Sequence, residues 1–170
     1  MHIIVMAVGE DRPGLTQALA DAIVAAEGNW LESHFARLGG QYVGSVLVEL
    51  PAHALPALEQ AASGMSESGF HITIEPANES AADQGQLLGF EIVGKDRPGI
   101  VREVSAALAR LGVGIVKLVT GTEEGAMFGG TVFRARAQVL VPETMSFDTV
   151  RAALEDISGE IMVDFEDETA

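Results

Sequence analysis

Gly9-Glu10-Asp11-Arg12-Pro13-Gly14-Leu15 recurs 85 residues later as Gly94-Lys95-Asp96-Arg97-Pro98-Gly99-Ile100. Each copy follows an apolar run, Ile3 to Val8 and Leu88 to Val93, and precedes a stretch whose apolar residues recur at helical spacing. A strand-to-helix loop used twice accounts for this pattern. It makes the 170-residue chain two copies of one fold unit, each of a size that folds.

The loop's residue types carry a chemistry. Gly permits unusual backbone angles, Asp is a short side chain able to cap, and Pro suits the first helical turn because it lacks an N–H. Gly14 and Gly99 are read as lying inside that turn at ordinary helical angles, where they keep it bare. A small group can then approach backbone N–H donors at the positive end of a helix dipole, which suits a carboxylate or a phosphate. A helix that is merely well capped is the other reading. Retention of Asp, Arg, Pro and Gly in both copies exceeds what capping demands.

Taken in order, the first copy reads β-α-β-β-α-β. After the loop, Leu15, Ala18, Leu19, Ala22, Ile23 and Ala26 form one helical stripe that ends near Gly28. Two strands follow, about Asn29 to Leu38 and Tyr42 to Leu50, joined through Gly39-Gly40-Gln41 as a hairpin. A second helix carries Leu55, Leu58, Ala62 and Met65 with Pro56 in its first turn, and Phe70 to Ile74 returns as a strand. Two helices cover only one face of a four-stranded antiparallel sheet, leaving the other to solvent or a partner. The fold class is therefore α+β, two tandem ferredoxin-like units. We place them at residues 1–78 and 87–170, with the polar stretch 79–86 as linker.

Adding the repeat offset to the first stripe gives Ile100, Glu103, Val104, Ala107, Leu108 and Leu111, apolar except at Glu103. Gly114 to Val119 reads as the next strand, Thr120 to Gly130 as a long acidic hairpin end, and Phe128-Gly129-Gly130 as the match to Tyr42-Val43-Gly44. Thr131 to Val141 reads as a strand whose facing is open, because Val132, Arg134, Arg136 and Gln138 share no character. Ser146 reads as an N-cap to a helix bearing Phe147, Val150, Leu154 and Ile157; Ile161 to Phe165 closes the unit ahead of a solvated acidic tail.

Composition narrows the function. Net charge is −15, and residues 1–85 carry only 2 basic side chains against 11 acidic ones. A nucleic-acid surface needs clustered Lys and Arg, so direct DNA binding is disfavoured. There is no cysteine, hence no disulfide framework and no thiolate metal site or nucleophile. His2, His34, His53 and His71 have no metal-ligand spacing, and Trp30 reads as a core or interface filler. No catalytic constellation assembles, and no cofactor or metal is expected. With no basic leader and no apolar run approaching membrane length, a soluble cytoplasmic protein is expected.

Tandem units carrying Gly-x-Asp-Arg-Pro-Gly-Leu/Ile resemble ACT domains, the small-molecule-sensing modules, and the whole arrangement is similar to the glycine cleavage system transcriptional repressor family. The resemblance implies amino-acid binding between units, at the loop of one and the second-strand region of another. Carried onto this chain, the positions are Asp11, Arg12, Pro13, Gly14, Leu15 and Asn29, with Asp96, Arg97, Pro98, Gly99 and Ile100 in the second copy. Asp11 and Asn29 offer oxygens to the ligand's ammonium. The second copy departs at Gly114, which stands where the first has Asn29. The resemblance further implies a non-enzymatic regulator that senses an amino acid, glycine being one candidate, and acts by contact with a transcription factor. The alternative is a regulatory subunit of an amino-acid metabolic enzyme. A homo-oligomer is compatible with either.

Overall fold

The structure, a computed structural model, describes residues 1–78, 85–125, 130–157, 159 and 161–165. The chain divides into two units, Met1–Glu79 and Ser80–Ala170. Most of the stretch read as linker, Phe128-Gly129 of the matched hairpin segment, and the acidic tail lie outside the described residues.

The first unit runs β1 (His2–Glu10), α1 (Leu15–Ala25), β2 (Asn29–Leu38), β3 (Gln41–Glu49), a 3-10 turn (Ala52–Ala54), α2 (Leu55–Glu67) and β4 (Phe70–Pro76). Its sheet has the order β2-β3-β1-β4 with every neighbour antiparallel, which is the ferredoxin-like arrangement. The hairpin turn is two residues long, and Gly39 (φ 59) and Gly40 (φ 82) have the paired positive φ of a type I′ turn.

Every residue from Ile3 to Val8 is apolar, yet burial along β1 alternates. Ile3, Val5 and Ala7 are buried against Leu15, Leu19 and Ile23 of α1 and Leu58 of α2. Ile4, Met6 and Val8 face the open side and stay 36–41% exposed. Full burial of a side chain such as Val5 or Leu19 contributes about 1.5–3 kcal/mol, so the helix-covered face holds the unit together.

The second unit repeats the plan with β5 (Gln86–Lys95), α3 (Ile100–Arg110), β6 (Gly114–Gly125), β7 (Gly130–Val141), α4 (Phe147–Glu155) and β8 (Ile161–Phe165), in sheet order β6-β7-β5-β8. Ser146 is the N-cap of α4, its hydroxyl accepting from the Thr149 N–H at 3.3 Å. The facing of β7 is settled: Phe133, Ala135, Ala137, Val139 and Val141 enter the core, while Arg134 and Arg136 lie on the open face, both bound to Glu91.

Three local readings are corrected. The stretch read as a long hairpin end is strand as far as Gly125, because Thr120 to Gly125 continue the ladder with β7, down to Gly125 opposite Gly130. Helix α1 ends at an αL residue, as expected near Gly28, but that residue is Glu27 (φ 55); its counterpart in the second unit is Gly112 (φ 69). Ala18 is exposed and Ala22 only half-buried, so the α1 stripe is narrower than its sequence period implied.

Candidate functional site

In both units the repeated loop spans the gap between the end of the first strand and the first helix. Gly14 is the N-cap of α1 with φ 95 and ψ −5, and Gly99 is the N-cap of α3 with φ 99 and ψ −5. These are left-handed angles, which correct the expectation of ordinary helical ones. Pro13 and Pro98 consequently stand just before the cap rather than in the first turn, and the Asp residues do not cap: neither helix has a side-chain cap hydrogen bond. The first-turn N–H groups, which have no partner within a helix, are thus not covered by a side-chain cap at either loop. Leu15 and Ile100 are buried, 6% and 2% exposed, so only their backbone can serve a ligand.

The first loop draws in groups from elsewhere in its unit. Arg37, on β2, pairs through Nε with the Asp11 carboxylate. Asp11 is therefore already engaged by a cation of its own unit. Arg12 Nη2 donates to the Ser68 carbonyl at the end of α2, 3.0 Å away. The hydroxyls of Thr16 on α1 and Tyr42 on β3 are 2.7 Å apart. Tyr42 stacks on Phe35 (5.1 Å between centroids) and Phe35 on Trp30 (6.0 Å), an aromatic row packed against the core. Trp30 is half-buried and packs against the core, one of the two roles expected of it.

Asn29 is not brought to this loop. It opens β2 opposite Glu49, which lies opposite His2, whereas the loop leaves the other end of β1 beyond Glu10. The separation is about 25 Å along the sheet. Gly114 occupies the corresponding end of β6, opposite Leu140.

The second loop has a different interior. Arg97 grips Glu103, one turn into α3, in a two-pronged pair: Nη1 to Oε1 at 2.8 Å and Nη2 to Oε2 at 2.6 Å. Those bonds, together with the nearby positive charge, hold the Glu103 carboxyl below the usual glutamate range. A Cβ placed on Gly99 would stand 3.7 Å from Glu103 Oε1, so the carboxylate sits directly over the cap. Asp96 is exposed, and its backbone N–H donates to the Thr131 carbonyl at 2.9 Å.

Arg37 and Glu103 were not among the residues expected at the loops. Both had a signal in the sequence: Arg37 is one of only 2 basic side chains in residues 1–85, and Glu103 is the single polar break in a duplicated apolar stripe. Among the described residues no group of three or more His, Asp and Glu is placed to hold a metal ion, and no helix is long and apolar enough to cross a membrane.

Residues 1–74 match the model of the ACT domain. The first unit is an ACT domain. A protein of unknown function from Galdieria sulphuraria shares 31% identity with it, over 97% of this chain and 96% of that one, with a TM-score of 0.80. A structure described as that of a candidate glycine cleavage system transcriptional repressor shares 14% identity over 97% and 95% of the two chains, with a TM-score of 0.73. That second likeness is one of fold. No functionally curated protein matches the sequence. The match makes the first unit a regulatory type of domain, and the repeated loop stands at the strand-to-helix junction of each unit.

Proposed function

We propose that this ACT protein is a non-enzymatic amino-acid sensor of the cytoplasm, with the role of a glycine cleavage system transcriptional repressor, exercised through contact with a transcription factor. The observation that carries the sensing role is the placement of charge. Residues 1–85 hold only Arg12 and Arg37 as basic side chains, and both reach the same loop, one by its position and the other through Asp11. In a body otherwise acidic, a ligand carboxylate finds both arginines at this one place, beside helix N–H groups without a side-chain cap. Asp11, with Arg37 already bound to one edge of its carboxylate, has lone pairs left for an ammonium.

In this reading the Arg12 guanidinium and the backbone N–H groups of Gly14 and Leu15 receive the carboxylate, and Pro13, which has no N–H, shapes the loop. Asn29, at the far end of its own sheet, takes no part in a site built from this loop alone. The net charge of −15 supports action through a protein rather than on DNA.

Isothermal titration of the pure protein against the twenty amino acids tests the sensing role, with saturable binding of a small set expected. Binding of none would overturn it. Copurification from native extract tests the partner: capture of a transcription factor supports the repressor reading, and capture of an amino-acid metabolic enzyme in its place overturns it in favour of a regulatory subunit.

A further inference from the structure

The two loops share Asp, Arg, Pro, Gly and the same left-handed cap, yet one of them already holds a carboxylate. Glu103 presents both its oxygens to both terminal nitrogens of Arg97. That is the two-pronged geometry in which an arginine receives a free carboxylate. It does so at the positive end of α3 and directly over Gly99. The side chain reaches this place because position 103 lies on the rim of the helix's buried stripe: Val104, Ala107 and Leu108 are in the core, and Glu103 is about one-third exposed beside them.

The first unit has no such group. Its equivalent position is Ala18, exposed and without a polar atom in its side chain. Among the described residues no carboxylate is paired with Arg12, whose hydrogen bond goes to a backbone carbonyl at the end of α2. Equal backbones therefore frame unequal interiors.

We infer that Glu103 is a built-in carboxylate that occupies the second loop in place of a ligand, so that the first loop alone is open to a free amino-acid carboxylate. The inference rests on the sensing role proposed above for the first loop. It assigns the duplicated loop two tasks: one senses, and the other is held permanently in a filled state by its own helix.

The test is an amide-resolved NMR titration of the full chain with sodium acetate and, separately, glycine, on wild type, Glu103→Ala, Glu103→Gln and Ala18→Glu. In wild type, glycine is expected to move the amides of residues 9–15 and leave those of 94–100 in place. Removing the carboxylate in Glu103→Ala should open residues 94–100 to acetate, with affinity at least about tenfold above wild type, the scale of one charge-assisted hydrogen bond. Glu103→Gln, which keeps the shape and removes the charge, should open the second loop in the same sense. Ala18→Glu should weaken glycine at the first loop by about tenfold. Wild-type amides 94–100 that titrate as readily as those of the Glu103 variants would overturn the inference. So would a second loop that stays silent in both variants. A first loop silent to glycine and to every other amino acid, with the second opening to acetate in Glu103→Ala, sinks the sensing role and leaves the built-in carboxylate standing.

Discussion

At Glu27 the chain adopts φ 55 to end α1, an angle that costs an L-residue about 1–2 kcal/mol, whereas the second unit places Gly112 (φ 69) at the same point. Glycine gives back part of that advantage through its freer unfolded chain. Glu27→Gly should still raise stability by about 0.5–1 kcal/mol in urea unfolding, and an unchanged midpoint would refute the strain argument. The converse holds at Gly14. Nothing lies within 4 Å of a Cβ placed there, so Gly14→Ala meets no clash and should lose about 1 kcal/mol through its left-handed backbone alone. Glu103 adds a pH dependence whose sign follows from its lowered pKa. Arg97 stabilises the ionised form in the folded state, so the contribution is fully present above the unfolded-state value of about 4.3 and is lost as pH falls through the lower folded one. The melting-temperature gap between wild type and Glu103→Gln should therefore be widest near neutrality and close on acidification. A gap that widens toward acid would contradict the pairing.

At the level of elements, the two units solve the same problem with unlike sequence. Both second strands carry a bulge at the equivalent place, between Trp30 and Glu32 in β2 and between Ile115 and Lys117 in β6. The bulge shifts the alternation by one residue, which lets Phe35 in the first unit return to the core side opposite Gly44. Gly44 is needed there, since a Cβ would fall 2.2 Å from the Phe35 ring. Helix α4, at nine residues the shortest, leans on its cap more than the others do. Ser146→Ala removes the acceptor for the Thr149 N–H and should cost about 1 kcal/mol, read by chemical denaturation; a loss within error would show that backbone packing alone sets the start of α4.

For the molecule as a whole, charge is the property that limits partners. Both halves are acidic, and three of the eight basic side chains of the second are drawn into pairs: Arg134 with Glu91 and Glu123, Arg136 with Glu91, Arg97 with Glu103. Such a surface repels phosphate and offers no cluster of cations from which counterions could be released. Pure protein should give no gel shift with promoter DNA even at low salt. A shift that weakens as salt rises would refute this and would favour direct action on DNA over action through a partner.

Duplication, element order and the ferredoxin-like plan were legible in the sequence, because a repeated heptapeptide and the periods of strand and helix are local patterns. The loop residues could be named for the same reason. Their partners could not. Arg37 meets Asp11 only because β2 returns to the end of β1 through β3, and Glu103 meets Arg97 because its side chain reaches back from the first turns of α3 to the loop before the cap. The angles at Gly14 and Gly99 were misread since Pro-Gly before a helix is compatible with a cap as well as with a first turn, and which one forms depends on where the strand delivers the chain. The alternation in β1 was hidden by an unbroken apolar run: only the docking of α1 and α2 on one face decides that Val5 is buried while Met6 stays open. Local chemistry thus determined what the chain is built from, and tertiary packing decided which groups meet at the first loop, because Arg37 and Ser68 reach it from elements that no local pattern brings beside it.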